Sequence, residues 1–327
     1  MRAPHSMRAA VVKALGALEP GELPKPTPGP GEVLIAVKAA GVNFADTLVV
    51  AGKYQEKPVL PFAPGLEAAG EVVACGPAVK RLKVGDRILA TPSFGGFAEF
   101  AVSREESSFV IPSTMDFDVA AGFPVTYGTA HAALRWHLDL KPGQTLVVHG
   151  AGGGVGLATV ECGKAMGARV IATAGSDDKV ALAKKHGADE GINYATEDLR
   201  ERIKTLTGGE GADAVFDPVG GDAFDASLRS TAWGGKIAVI GFAAGRVPQI
   251  PANILMVKNI SVHGVYWGSY RVKRPDLLAQ EFAELFQWFE QGKLKPHVSH
   301  RVPLAESVRA LELLTSRKAT GKVVVTI

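Results

Sequence analysis

The sequence predicts a two-domain α/β chain, a β-rich domain followed by a parallel sheet with helices on both faces. Three observations predict it. From Met7 to about Phe123, short strand-like runs are separated by proline–glycine turns. From about Pro124 the rhythm changes to strand-like and helix-like segments in alternation, which is the pattern of a parallel sheet. Within that second half, Thr145–Gly156 is an apolar strand running into a glycine cluster, with helix-like sequence from Leu157 to Met166. Because about 140 residues precede the cluster, another domain must come first.

In the first half, Val33–Lys38, Ala68–Val73, Arg87–Ala90 and Phe97–Val102 read as strands. Pro28-Gly29-Pro30-Gly31, Pro64-Gly65 and Gly95-Gly96 punctuate them, leaving room only for short helices. In the second half, strands are expected at Leu146–Val148, Arg169–Thr173, Gly191–Tyr194, Ala212–Phe216 and Lys236–Ile240. Helices are expected near 154–166, 177–186, 198–205 and 222–230. Pro275–Gln291 places Leu278, Phe282, Leu285 and Phe289 on one helical face. Ala305–Thr315 reads as a further helix, and Lys322–Ile327 as a last strand that returns to the first domain.

Composition narrows the function classes. With 36 basic and 33 acidic residues and no basic stripe interleaved with aromatics, nucleic acid is not an expected partner. The longest apolar runs, such as Ile237–Gly245, are too short to span a membrane. The N-terminus has no signal-peptide core, and Met1–Ser6 reads as an expression remnant ahead of Met7. Cys75 and Cys162 are the two cysteines, too few for a disulfide framework, and both read as small buried apolar residues in a cytoplasmic protein.

Strand, glycines and helix in that order suit a dinucleotide pyrophosphate. The glycines permit a tight turn and close backbone approach, and free N–H groups at the helix start meet the negative charge. Gly150, Gly153 and Gly156 are spaced three apart; Ala151, Gly153 and Gly156 fit the other spacing, and both registers stay open. Gly154 and Val155 complete the turn. At the end of the next strand an NAD site usually carries a carboxylate for the ribose hydroxyls, but this sequence has Gly175. That leaves room for a 2′-phosphate, with Lys179 one helical turn later as a point charge. Ser176 stands at the helix cap, and Asp177 and Asp178 either complement the helix dipole or repel the phosphate. NADPH is therefore the expected cofactor.

The chain resembles the medium-chain dehydrogenase/reductase superfamily, and within it the zinc-free quinone oxidoreductases, the zeta-crystallin-like group. The residues that carry the resemblance are Pro28–Leu34, Ala39–Asp46, Pro64–Gly70, Val84–Ile88 and His149–Gly156, and it covers Met7–Ile327. It implies a GroES-like domain over 1–124, a Rossmann domain over 125–264 and a return to the first domain over 265–327, with the active-site cleft between them. It implies 2′-phosphate contacts from Gly175, Lys179 and Tyr194. It places Asn43 and Asp46 at the nicotinamide end of the cleft, Thr129 facing the nicotinamide, and Gly241-Phe242 at a strand end where ligands gather.

Zinc-dependent cousins carry a cysteine where this chain has Asn43 and a histidine where it has Leu66, so no metal is expected. His131 and His137 read as helix-surface or hydrogen-bonded residues. The reaction implied is NADPH-dependent reduction of a quinone or related activated alkene, a small-molecule acceptor. Asn43 either serves the chemistry or orders its own turn. Tyr54 lies in a loop similar to the one in which metal-free enoyl-thioester reductases of the superfamily place a proton-donating tyrosine, or else is a loop aromatic gating the pocket. A non-catalytic, crystallin-like NADPH-binding protein is the reading from another class. The stretch Asn259–Gly264 reads as a sheet-edge strand, an edge that the family pairs in homodimers.

Overall fold

The computed structural model describes residues 5–327, so the expected remnant lies outside the described residues over its first four positions. In chain order the first elements are β1 (Ser6–Ala14), β2 (Ala17–Pro24), β3 (Glu32–Val42), α1 (Phe44–Val50), β4 (Ala68–Cys75), β5 (Arg87–Ala90), β6 (Phe100–Arg104), β7 (Ser108–Val110) and α2 (Phe117–Ala121). Then come α3 (Pro124–Ala132), β8 (Thr145–Val148), α4 (Gly154–Ala165), β9 (Arg169–Ala174), α5 (Asp177–Lys185), β10 (Glu190–Asn193), α6 (Leu199–Leu206), β11 (Ala212–Asp217), α7 (Gly221–Ser230), β12 (Thr231–Val239), α8 (Ala252–Lys258) and β13 (Ser261–Gly264). The chain ends with α9 (Tyr270–Lys273), α10 (Pro275–Glu290), β14 (Val298–Pro303), α11 (Ser307–Thr315) and β15 (Lys322–Thr326). Two compact units result. One holds the chain up to Val125 with Ser269–Phe286 and Pro296–Ile327; the other holds Thr126–Gly268 with Gln287–Lys295.

The first unit is built on β3, whose near-continuous apolar run Val-Leu-Ile-Ala-Val suits a central strand. It lies in a seven-stranded sheet of order β14-β15-β3-β4-β5-β7, with β6 also paired to β3. Strand β15 runs antiparallel to β3, Val323 opposite Val42 and Val325 opposite Ala40, so the chain end returns to this sheet as expected. Val33, Ile35, Val72, Ile88, Phe97, Val323 and Val325 are buried together, each contributing roughly 1.5–3 kcal/mol of hydrophobic stabilisation when fully buried. The β1–β2 hairpin completes the unit.

The second unit is a six-stranded sheet of order β10-β9-β8-β11-β12-β13 in which every neighbouring pair is parallel. Strand order reverses between β8 and β11, which opens a crevice at the carboxyl ends of those strands, the place where open α/β sheets bind ligands. Among the described residues, strand β13 pairs with β12 alone and forms the sheet edge, as the sequence predicts. In α10, Leu278, Phe282 and Leu285 are buried as expected, and Trp288 is buried as well.

Two side-chain expectations need correction. Cys75 is exposed at the end of β4, whereas Cys162 is buried inside α4. Of the two readings of His131, the helix-surface one falls: the residue is buried, its ring set against those of Trp136 and Trp288. Among the described residues no helix is long and apolar enough to cross a membrane.

Candidate active site

In the second unit the glycine cluster forms the turn between β8 and α4. Gly150 leaves the strand at φ +61°, a conformation that costs a side-chain-bearing residue but not glycine. The Gly153 N–H donates to the Gly150 carbonyl at 3.0 Å, and Gly153 is the N-cap of α4. The helix then packs so closely on the turn that a Cβ at Gly156 would stand 2.3 Å from the Gly150 oxygen. Gly154, Val155 and Gly156 are the first helical residues, whose N–H groups have no helical acceptor. The turn is thus a ready cradle for a pyrophosphate.

Lys179, Gly175 and Tyr194 lie on the same side of the glycine turn. A Cβ at Gly152 would meet the Lys179 Cβ at 2.7 Å, so the lysine stem lies against the glycine turn. A Cβ at Gly175 would meet the Tyr194 hydroxyl at 3.2 Å. Tyr194 follows β10 and is 41% exposed, which rules out core packing as its role. Ser176 is the N-cap of α5, but its hydroxyl makes no capping bond. Asp177 is tied down: its Oδ1 accepts from the Asn193 side-chain amide at 2.8 Å. A carboxylate occupied in this way is a weaker opponent of a phosphate than a free one.

Thr129 is buried within α3, not on a helix surface. Gly241 and Phe242 follow β12, and their loop is laced to the loop after β11 through Ala243 N–H to Pro218 O (3.1 Å) and Ala244 N–H to Val219 O (2.9 Å). Beneath the glycine turn, the buried His149 ring bonds the Thr173 hydroxyl at 2.8 Å and the Ser227 hydroxyl at 2.7 Å. Burial pulls its pKa down, and its two bonds join the end of β8 to β9 and α7.

In the first unit, Asn43 and Asp46 belong to a buried polar cluster whose other members are Glu67 and Lys322. The Asn43 amide donates to Glu67 Oε1 at 2.8 Å and accepts from the Lys322 ammonium at 2.6 Å. Lys322 also donates to the Val42 carbonyl at 3.0 Å and pairs with Glu67 Oε1 at 2.5 Å, which uses its three donors. Glu67 Oε2 accepts from the Val125 N–H at 2.8 Å. The space is so full that a Cβ at Gly41 would stand 2.2 Å from the Glu67 carboxylate. Asp46 has no exposed surface; its oxygens accept from the N–H groups of Asn43 (2.7 Å) and Gly65 (3.2 Å). Burial pushes its pKa up to about 7, against the lowering effects of the Asn43 N–H and of Lys322.

Sequence reasoning reached Asn43 and Asp46 but missed Glu67 and Lys322. The available signal was a charged residue in an otherwise apolar run, Leu66-Glu67-Ala68-Ala69 and Lys322-Val323-Val324-Val325. Leu66, at the position of a zinc ligand in the cousins, is buried. Among the described residues no group of three or more His, Cys, Asp or Glu is arranged to hold a metal ion. Tyr54 is partly buried and packs against the apolar core of the unit.

Residues 29–116 match the alcohol dehydrogenase GroES-like domain, and residues 154–291 match the zinc-binding dehydrogenase family. A quinone oxidoreductase-like protein 2 homologue from Nematostella vectensis is 43% identical over 91% of this chain and 82% of its own length. The chain belongs to the quinone oxidoreductase family of the medium-chain dehydrogenases/reductases. Solved members of the quinone oxidoreductase family share its architecture. The Escherichia coli quinone oxidoreductase, determined with NADPH, is 31% identical, with a TM-score of 0.91 over 98% of this chain and all of its own. A mycobacterial relative determined with NADPH is 35% identical, with a TM-score of 0.92 over 98% and 100% of the two chains. The quinone oxidoreductase family therefore accounts for both units, the GroES-like one and the Rossmann one, and the chain is an oxidoreductase of that type.

Proposed function

We propose that this enzyme reduces a quinone or a related activated alkene with NADPH, without a metal ion. The observation that carries the reading is the grouping of Gly175, Lys179 and Tyr194 beside the phosphate turn. No carboxylate ends β9, a tyrosine hydroxyl stands over Gly175, and a lysine stem lies against Gly152. A carboxylate there would favour NAD; a lysine and a hydroxyl favour a 2′-phosphate. The two relatives determined with NADPH support the same choice.

When bound, the nicotinamide supplies the hydride. The residues of this chain bind and orient. The N–H groups of Gly154, Val155 and Gly156 hold the pyrophosphate; Lys179, Tyr194 and the uncommitted Ser176 hydroxyl hold the 2′-phosphate. Thr129, Gly241 and Phe242 border the nicotinamide end. Asn43 acts through the cluster it joins, since both ends of its amide are engaged. Asp46 supports that loop from beneath. Tyr54 remains the candidate hydroxyl for protonating the reduced acceptor.

Metal independence is supported by donor chemistry. Where zinc relatives carry a cysteine, this chain has an amide whose oxygen is taken by the Lys322 ammonium, and the neighbouring carboxylate is neutralised by the same ion. An internal cation on those oxygens opposes a second one. Steady-state kinetics with NADPH and NADH against a panel of quinones and enones, repeated in chelator, test the reading. It requires turnover with NADPH that chelator leaves unchanged; absence of turnover with every acceptor would refute it.

The free edge of β13 supports pairing of two copies into a homodimer. Light scattering of the purified chain tests this, and a monomeric mass would reject it. Two cysteines outside any disulfide, one of them exposed, suit a reducing cytoplasm.

A further inference from the structure

The second unit carries a groove that the cofactor reading does not use. Its volume is about 320 Å³, and Arg200 of α6, Arg229 of α7 and Lys258 of α8 line it together with Leu228, Ile254 and Val257. Arg229 and Lys258 sit at the ends of helices that lead into β12 and β13. They therefore stand toward the start of the parallel strands, whereas the glycine turn follows the end of β8.

Two of the three groove charges have no carboxylate partner among the described residues. Among the described residues no carboxylate pairs with Arg229 or Lys258; the Lys258 ammonium donates to the Leu228 carbonyl at 3.1 Å. Arg200 has only its exposed neighbour Glu201, at 3.6 Å. Burial, with the positive charges of Lys204 and Arg200, lowers the pKa of Lys258. Like charges gathered around one concave surface oppose folding, and an anion between them relieves the repulsion. The apolar lining adds a second requirement, because inorganic phosphate alone leaves the half-buried Ile254 and the exposed Val257 uncovered. A second copy docked symmetrically on this groove would set the cations against their own duplicates, which disfavours self-association there.

We propose that the groove of Arg200, Arg229 and Lys258 over Leu228, Ile254 and Val257 binds a small phosphate monoester carrying an aryl or short alkyl group, at a site separate from that of the nicotinamide cofactor. The phosphate meets the guanidinium and ammonium groups, and the apolar group covers the apolar lining.

The test is calorimetric titration of the NADPH-saturated enzyme with phenyl phosphate, inorganic phosphate and benzyl alcohol at one ionic strength. Phenyl phosphate is expected to bind most tightly and the neutral alcohol not at all. Arg229→Ala and Lys258→Met each weaken phenyl phosphate at least about ten-fold, the usual effect of losing a charged hydrogen bond, while Lys179→Ala leaves it unchanged. Lys258→Met also raises Tm without ligand, because an uncompensated cation is gone. The proposal is overturned if phenyl phosphate binds no better than inorganic phosphate, or if both groove variants bind it as the parent does. Displacement by NADPH, or loss in Lys179→Ala, would assign the anion to the cofactor site instead.

Discussion

Lys322 and Glu67 meet with 2.5 Å between ammonium and carboxylate, one from the last strand and one from just before β4, and both are buried. Neither has water to fall back on, so each depends on the other and on Asn43. Removing one partner strands the other charge. Lys322→Met is expected to destabilise the enzyme by about 3–5 kcal/mol, the usual result of breaking a buried pair. Adding Glu67→Gln should recover part of that loss. Denaturant unfolding of the two single variants and the double variant gives the coupling; strictly additive losses would mean that the two side chains do not support each other.

Asp46 gives the first unit a pH dependence of defined sign. Its folded-state pKa of about 7 exceeds the ~3.9 of a solvated aspartate. Between those values the folded chain keeps a proton that the unfolded chain has released. The contribution of Asp46 to stability is therefore fully present below about pH 4, declines as pH rises toward 7, and is level above it. Asp46→Asn does not titrate. Melting temperatures across pH 4–8 should show the variant gaining on the parent enzyme between about pH 4 and 7; parallel curves would contradict the shift.

Lys179→Ala tests the 2′-phosphate contact. Loss of one charge-assisted hydrogen bond should raise KM for NADPH by about ten-fold and leave KM for NADH nearly unchanged. Initial rates with both nucleotides decide it. An equal effect on the two would place Lys179 away from the phosphate.

Gly156→Ala tests the cradle itself. The added methyl would stand 2.3 Å from the Gly150 oxygen, so helix and turn must separate. Affinity for both nucleotides should fall by more than ten-fold, because the N–H groups that meet the pyrophosphate move with the helix. Gly153→Ala, whose methyl has 3.5 Å to the same oxygen, should be much milder. Fluorescence titration with NADPH and NADH compares the two; equal effects would refute the packing argument.

The second unit was largely legible in the sequence because its signals are local. Each strand of the parallel sheet is a short apolar run followed by its own helix. Gly150–Gly156, Gly175–Lys179 and Tyr194 belong to three consecutive strand ends. Side-chain detail was less legible even there: nothing next to Asp177 shows that Asn193 holds it, or that His131 lies among tryptophan rings. Cys75 turned out exposed because it shares the outward face of β4 with Glu71 and Val73.

By itself the sequence determined the two-unit architecture, the glycine turn between β8 and α4, the missing carboxylate after β9 and the return of the last strand. Periodicity, glycine placement and residue chemistry are properties of neighbouring residues, so they survive without coordinates. Only the tertiary structure decided that Lys322 closes on Asn43 and Glu67, that Asp46 is sealed from water, and that cations from three helices share one groove. These depend on which distant segments become neighbours, and electrostatic energies follow distance and burial in space.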